Sequence, residues 1–244
     1  MATLTQARST SRSTDSSLKR GAWLLIAACA TFLAYFVLAV TWGTAYEEDI
    51  LAIAAETGKT VDTISAADLS RLALAHETFM IVGAVILILP AGVFLAAVLA
   101  IGKGLKTNEG APFARYAVLA AIGSAVVWYA YWLLNVGLFF GPDNLPPLTR
   151  NLDVLNVPLP AAQALLGLAA LILIGCAFRA VGIVRKAALA AIIIAAFFAV
   201  LGSVLVLSSG FEETIPPPVF VPSSLILAIA LLRMQEQPGT NAHS

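Results

Sequence analysis

The chain predicts an all-α integral membrane protein, a bundle of six transmembrane helices with an extracytoplasmic helical lid between the first and second. Three observations lead there. Hydrophobic residues fill 60% of the 244 positions and charged residues 11%, against about a quarter charged in a soluble domain. Charged residues bracket six long uncharged runs. The basic brackets then gather on one side of the membrane once those runs are threaded through it.

The first 20 residues carry Arg8, Arg12, Lys19 and Arg20 against Asp15 among many Ser and Thr. Residues 1–20 read as a disordered basic tail, too polar to bury a core. Arg20 and Glu47 then enclose 26 uncharged residues, which gives a first span at 21–45. Trp23 lies at one end, with Trp42 and Tyr46 at the other, as the two headgroup belts favour. A signal peptide cleaved near Gly43-Thr44-Ala45 is the rival reading, but the apolar run exceeds the usual h-region.

Residues 46–77 form the lid. Glu47, Glu48, Asp49, Glu56, Asp62, Asp68 and Glu77 outnumber Lys59 and Arg71 there. Two short helices are expected, one over 47–57 ending near Gly58, the other capped by Ser65 with Asp68 following. The second span, 78–102, rises about 37 Å as a helix, enough for a hydrocarbon core of roughly 30 Å. Pro90 near its middle removes a backbone donor, and Gly92 eases a bend.

The remaining brackets enclose uncharged runs of 27, 25, 25 and 19 residues. They place spans at 116–140, 157–178, 187–209 and 215–232. The sixth is compromised by Pro216, Pro217, Pro218 and Pro222, which remove donors from its first turns. Residues 235–244 form a polar tail. This threading puts 11 of the 14 basic residues on the side that holds both termini. The positive-inside rule makes that side cytoplasmic. The expected location is a plasma membrane, a bacterial inner membrane foremost.

Small residues recur at intervals of four along the fifth span: Ala187, Ala191, Ala195, Ala199 and Ser203. This ladder is the expected packing face, against a neighbouring helix or another subunit. Cys29 and Cys176 fall in apolar runs without a CxxC, so neither a disulfide framework nor a metal site is expected. No cofactor is expected either, since HExxH, diiron and bis-histidine haem patterns are missing.

No ionisable residue falls in the middle of a span, which counts against a proton-coupled carrier. Polar groups collect instead towards the outer surface: His76 and Glu77 at the head of the second span, Tyr131, Trp132 and Asn135 on the third, Gln163 on the fourth, Ser203 on the fifth. They define a candidate shallow outer pocket roofed by the lid, with His76 as ligand or general base. Adjacent helical positions diverge by about 100°, so His76 and Glu77 do not both face it squarely. The plainer reading is a headgroup belt. The run from Trp128 to Trp132 is read as core packing.

No catalytic residue is assigned. Nucleic acid is not an expected partner, because the basic residues sit in short membrane-edge loops and Gly102-Lys-Gly104 lacks phosphate-loop spacing. The favoured function is a non-catalytic accessory or assembly subunit, acting through packing faces and the lid. Its partners would be the lipid bilayer and another membrane protein or a second copy. A small-molecule binding or transport protein using the outer pocket is the alternative. A membrane enzyme or cofactor protein built on His76 is the third reading.

Overall fold

The architecture was taken from a computed structural model that describes residues 2–58, 77–140, 158–209 and 217–236. Lid residues 59–76, the loop at 141–157 and the tail from 237 lie outside the described residues. So do the side chains of residues 1–15, Glu77 and Asn135. Every described element is helical: α1 (Ala2–Thr57), α2 (Glu77–Leu105), α3 (Ala111–Phe140), α4 (Pro158–Val181), α5 (Arg185–Ser208), a 3-10 turn (Pro217–Phe220) and α6 (Val221–Glu236). Five of them contain stretches long and apolar enough to cross a membrane: Ser16–Leu38, Ile88–Leu105, Ala111–Leu133, Pro158–Val181 and Arg185–Ser208. The chain is a helical membrane protein.

Each helix packs on its neighbours in the chain, and α6 closes the set by packing on both α5 and α1. Two short connections, between α2 and α3 and between α4 and α5, fold those helices back on each other. The α2–α3 loop is held by Asn108 N–H donating to Leu105 O and Ala111 N–H to Asn108 O. The α4–α5 turn is a Schellman motif: Ile183 N–H donates to Phe178 O at 2.9 Å and Gly182 N–H to Arg179 O at 3.2 Å. Gly182 takes the left-handed position there, with φ +82°, as this motif requires. Val184 follows at φ 42°, an unfavourable conformation for a β-branched residue. The α2–α3 connection seats closely against the last turns of α4, since a Cβ on Gly110 would lie 2.6 Å from the carbonyl oxygen of Ala177.

The centre of the bundle is aromatic. Phe220 is fully buried, with ring centroids 5.1 Å from Phe32 on α1 and 5.8 Å from Phe94 on α2. On α4 it fills the space that Gly167 leaves open, where a Cβ would meet the Phe220 ring. Phe32 and Phe94 lie 12 and 9 residues from Arg20 and Lys103. At ~1.5 Å per residue both are about 14–18 Å from the basic end, near the middle of a core roughly 30 Å thick. α6 therefore begins at mid-depth and descends to the basic end as a helix of 16 residues, about 24 Å long.

Several elements differ from the sequence-based expectation. The backbone is already helical from Ala2, where a disordered tail is expected. The 47–57 stretch is no separate surface helix but the continuation of α1, which ends only where Gly58 adopts φ +64°. Nothing between Tyr46 and Thr57 breaks a helix, and polarity alone does not end one. On α5 the buried face is Ala188, Ala191, Ala195, Gly202 and Val206, turned against α4 and α6. Ala187, Ala199 and Ser203 are only half-buried. Steps of four residues advance about 40° around the helix each time, so a five-rung ladder cannot stay on one face.

The Gly110 packing makes a testable statement. Gly110→Ala drives a Cβ into backbone and should cost about 1–3 kcal/mol, whereas Gly123→Ala meets only a movable Leu166 methyl at 3.3 Å and should cost less than about 1 kcal/mol. Thermal unfolding of both variants in mild detergent would check the order. Equal midpoints would mean that the α2–α3 loop is not seated closely on α4.

Candidate functional site

The outer part of the bundle between α1, α2 and α3 is organised by Trp128. It is 2% exposed and packs edge-on against Tyr35 at 6.0 Å and tilted against Tyr131 at 5.9 Å. Ala91 and Ala125 complete this small cluster. Trp128 and Tyr131 are three residues apart on one helical face, which is why the aromatic run turns them inward together. Tyr129 points to α2 instead, where its hydroxyl donates to the Ile88 carbonyl at 3.2 Å and occupies the space beside Gly92. That bond lies within one turn of Pro90, where the α2 backbone has lost a donor.

Four polar side chains are buried in the described bundle: Ser124, Gln163, Ser223 and Ser224. Two act as ties between helices. Ser124 Oγ donates to the Gln163 carbonyl at 2.9 Å, joining α3 to α4, and Ser223 Oγ donates to the Ala191 carbonyl at 3.2 Å, joining α6 to α5. Ser224 Oγ is sealed in beside the Cys29 thiol without a well-formed hydrogen bond, and that thiol points to the Val221 carbonyl at 3.8 Å. The Ser124 and Ser223 hydroxyls satisfy backbone acceptors in an apolar setting, a structural use of intramembrane serine. Among the described residues, no three His, Cys, Asp or Glu side chains come together as a metal site.

The seven candidate pocket residues separate into three groups. Tyr131, Trp132 and Gln163 lie on adjoining helices α3 and α4, with Tyr131 and Trp132 half-buried and Gln163 buried. Ser203 sits on α5, which has no substantial interface with α3, and its hydroxyl bonds back to Ala199 O at 2.7 Å within its own helix. His76 and the side chains of Glu77 and Asn135 lie outside the described residues. Residue type and depth did not single out Phe220, Phe32, Phe94 and Gly167, which form the centre. The signal present was the glycine at 167 and the proline run ending in a lone aromatic.

No protein-family model, curated protein or solved structure matches the chain.

Removing one tie tests this reading of the serines. Ser124→Ala should lower stability by about 0.6 kcal/mol, the usual worth of a hydrogen bond between membrane helices. Unfolding in detergent titrations would measure it. A loss above about 2 kcal/mol would point to a role beyond the tie.

Proposed function

We propose that the protein is a non-catalytic subunit of a larger membrane assembly, crossing a plasma membrane six times with both termini in the cytoplasm. The observation that carries this is the extension of α1. Beyond the uncharged run that ends at Tyr46, the helix continues without interruption to Thr57, about 16 Å further at ~1.5 Å per residue. Along it Glu48, Asp49 and Glu56 are exposed, and so is Leu51 at 58%. An acidic helical arm with an apolar side chain among its charges is suited to docking a second chain outside the bilayer.

Two further observations support the reading. The interior is filled by packed apolar side chains, and Ser124 and Ser223 are engaged in helix–helix ties. The distribution of 11 of 14 basic residues on one side supports cytoplasmic termini. Because Ala191 and Ala195 are buried within the chain, a partner within the bilayer would meet the bulky face of α5, at Ile193, Phe197, Val200 and Val204.

Native mass spectrometry of the protein extracted gently from its own membrane tests the proposal. The expected result is a stoichiometric second protein or a defined homo-oligomer. Combined Glu48→Lys, Leu51→Ser and Glu56→Lys substitutions should reduce its occupancy several-fold while leaving the monomer's unfolding midpoint unchanged. A monomer without a second protein, whether bare or carrying a stoichiometric metal or non-lipid small molecule, would overturn the subunit reading.

A further inference from the structure

We propose that the outward face of α4 is a binding site for a single anionic phospholipid, its phosphate held by the α2–α3 and α4–α5 connections and one acyl chain laid along the helix. α4 is recessed between its neighbours. Arg179 is its one exposed residue, and its outward stripe, including Ala162, Ala169 and Cys176, is half-buried throughout. The flanking helices stand proud, with Leu119 on α3 and Ile193 on α5 exposed. Ala169 and Cys176 keep the floor low beside half-buried Ile172 and Leu173, and the exposed Leu119 and Ile193 form the walls of a groove. From Arg179 up to Ala169 it is about 15 Å long, the thickness of one bilayer leaflet.

The mouth of the groove is basic. Lys106, Arg115, Arg179, Arg185 and Lys186 are all exposed there, from the two connections and the helix ends they join. Gly110 of the α2–α3 connection seats against Ala177 and Val181 in the last turns of α4, directly before the α4–α5 turn. The Arg185 guanidinium folds back over the turn, its Nη2 3.3 Å from where a Cβ on Gly182 would be. Glu109 is the sole carboxylate in these connections, and among the described residues none of the five cations forms an ion pair. Uncompensated cations at the phosphate level of a membrane attract anionic headgroups. A free phosphate would satisfy the mouth and leave the groove empty. An anionic diacyl lipid matches both, and the bilayer supplies it.

The test is native mass spectrometry of delipidated protein titrated with phosphatidylglycerol, with phosphatidylcholine of the same acyl chains, and with inorganic phosphate. One tight phosphatidylglycerol adduct should form in preference to phosphatidylcholine. Arg115→Gln, Arg179→Gln and Arg185→Gln together should weaken it at least about tenfold, while Lys19→Gln with Arg20→Gln on α1 should not. Ala169→Phe fills the groove with every charge intact and should also weaken it, which guards against a fold defect in the charge variant. No lipid preference would overturn the proposal. So would a preference that survives the triple variant, or one that inorganic phosphate abolishes.

Discussion

An α-helix that begins inside an apolar interior must dispose of its first N–H groups, and the C-terminal part of this bundle is built around that requirement. Hydrocarbon offers no water to accept them, so each orphaned donor costs several kcal/mol. Here the helical stretch opening at mid-depth starts with Pro217 and Pro218 and carries Pro222 in the first turn of α6. None of the three has a donor to orphan. The same prolines that discourage a full span thus permit a half-length one. They also hold the chain stiff enough to deliver Phe220 to the contact with Phe32, Phe94 and Gly167.

Much of the fold was legible in the residues, and the limits were physical. Charge brackets mark uncharged runs because desolvating a charge in hydrocarbon is costly whatever the fold, and five helices of the bundle contain stretches long and apolar enough to cross a membrane. Hydropathy reports where a chain leaves the membrane, not where a helix stops. The end of α1 was therefore placed at 45 when the backbone runs on to Thr57. Nor does hydropathy report depth, so the uncharged run at 214–232 could not reveal that α6 starts halfway across.

The candidate site was less legible for a related reason. Depth along a helix can be counted in residues, but the direction each helix faces depends on which neighbours it meets. Tyr131 and Gln163 fall on the adjoining helices α3 and α4, whereas Ser203, at comparable depth, sits on α5, which adjoins α4 but has no substantial interface with α3. Along α5 the small residues share a spacing of four but rotate around the helix, so Ala191 and Ala195 are buried beside Ala188 while Ala187 and Ala199 are half-buried.

The position of Phe220 has a consequence for biogenesis. A growing chain emerges N-terminus first, so α1, α2 and α4 are all made before the residue that fills the space between them. Until then Phe32, Phe94 and Gly167 border an unfilled hollow, and α1 and α5 lack the helix that joins them. The ring closes only with the last twenty or so residues of the membrane domain. A ribosome that stalls before them would release five inserted helices and an open interior, which gives the cell's quality-control proteases a physical mark of an unfinished chain.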